Sequence, residues 1–220
     1  MILTVTAGKG GVGKSTVALN LAAELGAVVI DADLAMADLP AARGPDLHDV
    51  LADRADPVEA VQDGGPVAVL PCGRSLAGAR AVDPVVLADA VEDVAREYGR
   101  VVVDAPAGLH GDAGLPLLAA EACLLVTRPT EAALFDAVRV RELARAVETP
   151  LARVVLNRAG DVDTETIAAT LGGPVTPIPE SEQLARAQRA GLPVSAVGPD
   201  CPAARQFEQL AAAVYSAMRS

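Results

Sequence analysis

The chain has 220 residues, of which 51% are apolar, with two Phe, two Tyr and no Trp. This length predicts one large domain or two small ones, and the apolar content excludes a chain that is disordered throughout. The 18 basic and 29 acidic residues give a net charge of −11, which disfavours unaided binding to nucleic acids or anionic lipids.

The basic residues are almost all of one type. Lys9 and Lys14 are the only lysines, and every other basic residue apart from histidine is Arg. Two lysines this close together indicate that their chemistry is needed, with chance survival as the alternative. The acidic, lysine-poor composition favours a halophilic protein from a high-salt, haloarchaeal cytosol, although a GC-rich genome would also replace Lys by Arg.

The predicted strands and helices alternate along the chain. Strands are predicted at residues 2–6, 27–31, 67–70, 101–104, 122–127, 153–157 and 175–178. Helices are predicted at 15–25, in a short stretch near 46–53, and at 83–98, 131–147, 181–190 and 202–218. Continuous apolar strands that alternate with helices indicate an α/β fold, a doubly wound and mostly parallel sheet with helices on both faces. No linker or repeat divides this pattern, so residues 1–220 are expected to form a single domain.

The first residues and the apolar runs bear on the compartment. Residues 1–7 are too short and too uncharged for a secretory signal, and no run approaches 18 uninterrupted apolar residues. We therefore expect a cytoplasmic protein.

A glycine-rich loop follows the first predicted strand and precedes the first helix. Residues 8–15 read Gly-Lys-Gly-Gly-Val-Gly-Lys-Ser, which matches the phosphate-binding pattern G-x4-G-K-[ST]. In such a loop the backbone N–H groups surround the β-phosphate, and the helix N-terminus adds a positive dipole end. Lys14 would neutralise β- and γ-phosphate oxygens, the Ser15 hydroxyl would ligate Mg²⁺, and the Thr16 N–H would reach the α-phosphate. The predicted nucleotide-binding residues of this loop are Gly8, Lys9, Gly10, Gly11, Val12, Gly13, Lys14, Ser15 and Thr16.

The string Lys-Gly-Gly-Val-Gly-Lys-Ser-Thr from Lys9 to Thr16 resembles the deviant Walker A motif of the MinD/ParA family of P-loop ATPases. The resemblance implies that Lys9 reaches across a face-to-face dimer to the phosphates of the partner's ATP, where a cation stabilises the transferring phosphoryl group. A solvated loop lysine is the alternative. Weaker matches at residues 69–76 and 125–130 extend the resemblance over nearly the whole chain, and archaeal-type MinD-like proteins are the most similar.

Aspartates follow two of the predicted strands. Residues 31–39 resemble switch I of MinD proteins, which implies that Asp33 orients or activates the attacking water and that Asp31 assists through the water shell of the metal. Asp38 stands where archaeal-type sequences often carry Asn. Residues 101–108 resemble a Walker B strand that runs into switch II, so Asp104 would hold the hydration shell of Mg²⁺ and Gly108 would free the backbone at the γ-phosphate. Caps of the following turns are the alternative for Asp31 and Asp33.

The adenine side of the site is predicted from two later segments. Asn157 matches the family residue that hydrogen-bonds the adenine edge, since its carboxamide offers both a donor and an acceptor. A turn Asn is the alternative. Residues 176–180, with Pro179, resemble the loop whose backbone lines the base. His110 is expected in an exposed loop, and neither it nor His48 is expected to have a catalytic role.

The C-terminal segment departs from bacterial MinD, which ends in a basic amphipathic membrane helix. The segment has no basic face, and its apolar residues form a single stripe, which predicts a helix that docks on the core. The stripe consists of Phe207, Leu210, Val214 and Met218. Localisation through an unidentified protein partner is thus favoured over direct membrane binding.

The three cysteines form neither a disulfide framework nor a CxxC metal motif, and are expected to be small buried hydrophobes: Cys72, Cys123 and Cys201. Pairing of Cys72 across a dimer axis to hold a cluster is the alternative.

The resemblance implies an ATP-dependent homodimerisation switch with slow, Mg²⁺-dependent hydrolysis of ATP to ADP and phosphate. It would position cellular structures such as the division site, motility machinery or chemosensory clusters.

Three alternatives remain open. A ParA-like partitioning ATPase would need a basic stripe for DNA, and the arginines at 139, 141 and 145 supply only a short one. An iron–sulfur delivery ATPase would need a CxC or CxxC pair, which the sequence lacks. The third alternative is an adaptor protein that ATP locks in one state, with negligible hydrolysis of the ATP.

Overall fold

One seven-stranded parallel sheet forms the centre of the computed structural model, which describes residues 1–34, 39–73, 83–109 and 113–219. Its strands are β1 Ile2–Ala7, β2 Val28–Asp31, β3 Val69–Leu70, β4 Val101–Asp104, β5 Ala122–Thr127, β6 Leu151–Ala159 and β7 Val175–Pro179. Their order across the sheet is β3-β2-β4-β1-β5-β6-β7. The central strand β1 therefore pairs with β4 on one side and β5 on the other.

Helices cover both faces of this sheet. They are α1 Lys14–Leu25, α2 Leu47–Val50, α3 Leu87–Tyr98, α4 Leu115–Leu118, α5 Glu131–Ala146, α6 Thr164–Leu171, α7 Glu182–Ala190 and α8 Pro202–Ala217. Alternate residues of a strand point to opposite faces. Leu3 and Val5 of β1 thus pack in a core with α1 and α8, while Ile2 belongs to a second core with α3. The predicted doubly wound α/β architecture is confirmed.

Two short helices were not predicted. Helix α4 has only four residues, and α6 buries only Ile167 and Leu171, so neither leaves a clear apolar stripe in the sequence. Asp163 begins α6 by accepting hydrogen bonds from the backbone N–H groups of Glu165 and Thr166. The prolines of the 176–180 segment lie in β7, a strand at the edge of the sheet, where a missing N–H is tolerated.

The C-terminal helix docks on the core as predicted. Phe207, Leu210 and Val214 of α8 are fully buried, and the half-buried Met218 just beyond the helix packs on the same cluster. Asn20 links this region to α1, because its carboxamide accepts from the Val194 N–H at 2.7 Å and donates to the Thr16 carbonyl at 2.7 Å. Among the described residues, no helix combines the length and the apolar character needed to span a membrane.

Two of the three cysteines are fully buried, as predicted. Burial raises the pKa of the Cys123 thiol to about 11. The pKa of Cys72 is also raised, first by burial and then by the nearby carboxylates of Asp31 and Asp33. The prediction is wrong for Cys201, which is only half-buried, because its Sγ caps the start of α8 by accepting a hydrogen bond from the Ala204 N–H.

Candidate functional site

The glycine-rich loop joins the buried end of β1 to the first turn of α1. Gly13 adopts φ 99°, a left-handed conformation that other residues rarely take, and a Cβ atom there would overlap the amide nitrogen of Asn157. A Cβ atom at Gly8 would overlap the backbone of Asp136, near the start of α5. The loop is therefore packed between α5 and the end of β6, which requires glycine at both positions.

A cleft of about 1180 Å³ opens over this loop and brings most of the predicted site residues together. It is lined by the predicted residues Lys9, Gly10, Gly11, Gly13, Lys14, Ser15, Thr16, Asp33, Asn157 and Pro179. Gly8 and Val12 do not line the cleft, and Val12 is buried beneath the loop. The cleft thus combines backbone amides, a hydroxyl, two ammonium groups and a carboxylate, a set that suits a phosphate chain with a divalent cation.

Asn157 holds the glycine-rich loop in place. Its Nδ2 donates to the Val12 carbonyl at 2.7 Å, and its Oδ1 accepts from the Arg158 N–H at 3.0 Å. A carboxamide has two N–H groups and two acceptor lone pairs, so these bonds leave one of each. Asn157 can therefore support the loop and still present a donor and an acceptor to a base in the cleft.

Lys14 and Asp104 form an ion pair below the loop. The Lys14 Nζ donates to the Asp104 Oδ1 at 2.6 Å, and the two side chains are 7% and 0% exposed. Asp104 ends β4, beside Asp31 at the end of β2 in the register of the sheet. Two carboxylates thus lie under the loop that carries Ser15. Together with the Ser15 hydroxyl, these oxygen ligands fit a Mg²⁺ ion, which they would hold partly through water.

Asp31 and Asp33 have different positions, although only one residue separates them. Asp31 is fully buried, and its two carboxylate oxygens accept from the N–H groups of Asp33 at 3.2 Å and Leu39 at 3.3 Å. Asp31 therefore caps the turn that follows β2. A cap was the alternative to the role that the resemblance implies for Asp31 at the metal. Asp33 lines the cleft. Asp38 and His110 lie outside the described residues.

The segment after β4 closes the other side of the loop. The Gly108 N–H donates to the Ala7 carbonyl at 2.9 Å, with φ 95° at Gly108. Pro106 and Ala107 line the cleft beside the loop. The predicted switch II residues thus lie beside the loop, where a γ-phosphate would be bound.

Two buried side chains under the Asp33 segment were not predicted to lie near the site. The Cys72 thiol donates to the Asp33 carbonyl at 3.0 Å and lies 3.5 Å from the His48 Nε2. The same ring nitrogen lies 3.2 Å from the Leu34 carbonyl. Cys72 and His48 therefore support the backbone of the segment that brings Asp33 to the cleft. Cys72 lies in the segment 69–76 that resembles the family, but that resemblance predicts no contact with Asp33 or His48, so only the fold reveals it.

Comparisons with known proteins agree with this geometry. A family model described as ParA, NUBPL iron-transfer P-loop NTPase, matches residues 1–171. An uncharacterised ATP-binding protein of Methanocaldococcus jannaschii is 36% identical, over 97% of this chain and 88% of that protein.

Solved structures of high similarity include two archaeal proteins. The cell division ATPase MinD of Pyrococcus furiosus superposes with a TM-score of 0.91 at 30% identity, over 98% of both chains. The septum site-determining protein MinD of Pyrococcus horikoshii, complexed with Mg-ADP, gives a TM-score of 0.88 at 29% identity, over 96% of this chain and 93% of that chain. This chain therefore belongs to the ParA/MinD family of P-loop NTPases.

Proposed function

We propose that this protein is an ATP-dependent dimerisation switch that hydrolyses ATP slowly and helps to position a cellular structure. The observation that carries the proposal is the state of the two lysines at the cleft. Lys14 is paired with Asp104, whereas Lys9 makes no hydrogen bond or ion pair with any described residue. Both line the same cleft, so Lys9 supplies an ammonium group that no residue of the described ranges pairs with.

The roles of the individual residues follow from where they lie. The loop amides and Lys14 bind the phosphate chain, and Asn157 and Pro179 border the adenine. Ser15 and Asp33 hold Mg²⁺, with Asp31 and Asp104 acting through water. The metal, when bound, neutralises charge between the β- and γ-phosphates. Asp33 accepts a hydrogen bond from the attacking water, and Lys9 stabilises charge on the γ-phosphate of the partner copy.

A direct test measures the mass of the protein by light scattering with ADP and with a non-hydrolysable ATP analogue, in dilute buffer and in molar KCl. We expect a monomer with ADP and a dimer with the analogue. A mass that does not depend on the nucleotide in either buffer would refute the switch.

Three variants separate binding, dimerisation and hydrolysis. Lys14→Ala should abolish nucleotide binding, since it removes the cation of the chain's own site. Lys9→Ala should bind ADP normally but fail to dimerise, and Asp33→Ala should form a dimer that does not hydrolyse ATP. A Lys9→Ala protein that dimerises and hydrolyses ATP like the unmodified chain would remove the cross-subunit role.

The cellular role needs a separate experiment. MinD proteins share this fold, and the name of the Pyrococcus furiosus protein includes cell division. We expect cells without the gene to misplace the division site, motility machinery or chemosensory clusters in fluorescence images. Normal placement of all three would exclude a positioning role while leaving the nucleotide switch intact.

Iron transfer is the second candidate, because the matching family model carries that description. Such a protein holds its cargo through accessible thiols, whereas Cys72 and Cys123 are buried and lie far apart in the sequence. Measurement of iron and acid-labile sulfide after anaerobic reconstitution decides between the two, and about one cluster per dimer would support the second.

DNA partitioning receives less support from the surface of α5. Of the arginines considered for a basic stripe, Arg141 donates to the Leu171 carbonyl and Arg145 pairs with Glu142. Salt-dependent retention of DNA by the ATP-bound form would nevertheless restore this candidate.

A further inference from the structure

Asp33 is held at both of its peptide groups. Its N–H donates to the Asp31 carboxylate at 3.2 Å, and its carbonyl accepts from the Cys72 thiol, whose Sγ lies 3.0 Å away. The carbonyl of the next residue, Leu34, lies 3.2 Å from the His48 Nε2. A carbonyl oxygen only accepts hydrogen bonds, so Nε2 carries a proton and donates to it. The backbone at Asp33 therefore has little freedom to turn.

The Asp33 carboxylate, in contrast, makes no hydrogen bond or ion pair with any residue of the described ranges. It lines the cleft, as do Lys14 and Ser15 of the glycine-rich loop. Because no partner in that part of the chain fixes its direction, the position of this carboxylate depends on the backbone that carries it. The groups that hold the backbone of residues 33–34 thus determine where the carboxylate lies in the cleft.

Cys72 and His48 together support this backbone, and we name them the Cys72–His48 pair. Two contacts join them, since the His48 N–H donates to the Cys72 carbonyl at 3.1 Å and the Cys72 Sγ lies 3.5 Å from the His48 Nε2. Both residues are buried, with 1% and 4% exposed. A Cβ atom at Gly73 would lie only 2.6 Å from the His48 Nδ1, so the ring packs directly against the backbone of Gly73. The pair is therefore fixed in place on the side away from Asp33.

The His48 ring uses only one of its nitrogens for hydrogen bonding. Nδ1 is buried and has no partner among the described residues, whereas Nε2 contacts the Leu34 carbonyl and the Cys72 Sγ. Buried polar atoms usually have a partner, and one without a partner lowers the stability of the fold. The ring is thus poorly suited to a purely stabilising role, and its hydrogen bonding is directed to the Asp33 segment.

We propose that the Cys72–His48 pair positions the Asp33 carboxylate for the hydrolysis of ATP. The inference rests on the proposed function, in which Asp33 accepts a hydrogen bond from the attacking water. Neither member of the pair lines the cleft, so both act through the backbone of residues 33–34. A displacement of about 1 Å at a reacting group can cost on the order of a hundredfold in rate. Loss of the pair should therefore slow hydrolysis and leave nucleotide binding, which depends on the glycine-rich loop, nearly unchanged.

Cys123 provides a matched control. It is a second buried cysteine, also 1% exposed, and it packs in β5 against Leu117 and Ala144. Replacement of either cysteine by Ala removes one buried sulfur atom, so the two changes should lower the free energy of unfolding by similar amounts. Only the change at Cys72 removes a hydrogen-bond donor to Asp33.

The test compares kcat for ATP hydrolysis with the Kd of the non-hydrolysable analogue, and urea denaturation checks the folding of each variant. We expect Cys72→Ala and His48→Ala to lower kcat at least about tenfold and to leave Kd within about threefold. Cys123→Ala should change neither quantity by more than about threefold. Cys72→Ser keeps a donor at its position, and His48→Gln places an amide N–H near that of Nε2. Both should therefore recover most of the lost kcat, which a merely structural role would not require.

Two results would overturn the inference. One is an equal kcat for Cys72→Ala and Cys123→Ala, and the other is a kcat for Cys72→Ser and His48→Gln as low as for the matching Ala variants. If Cys72→Ala does not fold, His48→Ala and His48→Gln make the same comparison without it.

Asp33→Ala, measured alongside, separates the inference from the proposed function. If Asp33→Ala hydrolyses ATP like the unmodified chain, the catalytic role of Asp33 is wrong and the inference fails with it. If Asp33→Ala is inactive while Cys72→Ala and His48→Ala are fully active, the inference alone fails.

Discussion

The buried ion pair between Lys14 and Asp104 makes a strong prediction about stability in the absence of nucleotide. Lys14→Met keeps most of the aliphatic side chain but removes the ammonium group that faces the Asp104 carboxylate at 2.6 Å. The two side chains are 7% and 0% exposed, so the Asp104 carboxylate loses a cationic partner in a largely buried place. Removal of one member of a buried pair costs about 3–5 kcal/mol. Whole domains are stable by only about 5–15 kcal/mol, so the loss is a large share of the total.

Urea denaturation followed by far-ultraviolet circular dichroism measures this change. The matched control is Lys9→Met, which removes the other lysine of the same loop and should alter the free energy of unfolding by less than about 0.5 kcal/mol, as surface substitutions usually do. Adding Asp104→Asn to Lys14→Met should recover much of the loss, because a neutral side chain at position 104 does not need the cation that Lys14 supplied.

The reasoning would be refuted by equal free energies of unfolding for Lys14→Met and Lys9→Met, with equal denaturant slopes. Equal values would mean that the pair contributes nothing net to the folded state. A Lys14→Met/Asp104→Asn variant less stable than Lys14→Met alone would contradict the electrostatic explanation, even if the single variant behaved as expected.

Three further predictions concern the loop, the thiols and the surface charge. Gly13→Ala should lower the free energy of unfolding by about 3 kcal/mol, because the backbone is left-handed there and the new Cβ atom would clash with Asn157. Gly10→Ala should be nearly neutral, because nothing lies within 4 Å of its Cβ position. Similar losses for both would contradict the packing argument. At pH 8 a thiol reagent should label Cys201 rapidly in the native protein. The two buried cysteines should react only after denaturation, because their pKa values are raised. Rapid labelling of a second cysteine in the native protein would count against this prediction. The melting temperature should rise with KCl between about 0.1 and 1 M, because salt screens the repulsion of a net charge of −11, and no dependence on KCl would remove the halophile interpretation.

The parts of the site that the sequence predicts well are those encoded in short, contiguous strings. Residues 8–16 specify the loop, and an apolar run that ends in Asp104 specifies the end of a buried strand. The contact between Lys14 and Asp104 depends on the pairing of β1 with β4, which no local pattern encodes. Sequence reasoning therefore located both groups at the site but not the ion pair between them.

The unpredicted features have the same physical origin. His48 and Cys72 lie 24 residues apart and meet only because both pack beneath the Asp33 segment. Asn157 was predicted from its resemblance to an adenine-binding residue, whereas its bond to the Val12 carbonyl spans 145 positions. Helix α6 was missed because only two of its side chains are buried, which is too few to give a clear helical spacing of apolar residues. Local signals thus predicted the elements and motifs, and tertiary packing decided the contacts between them.

The central position of β1 has a consequence for how the protein is made. Both neighbours of β1 are synthesised much later, since Asp104 at the end of β4 lies 90 residues beyond Lys14. At translation rates of about 5–20 residues per second, the first strand waits roughly 5–20 seconds after leaving the ribosome before β4 can pair with it. During this interval the six residues of β1, all of which are buried in the folded protein, remain in the nascent chain without their neighbouring strands. The glycine-rich loop therefore gains its final shape only when the later strands arrive, because Asn157 of β6 holds the loop through the Val12 carbonyl.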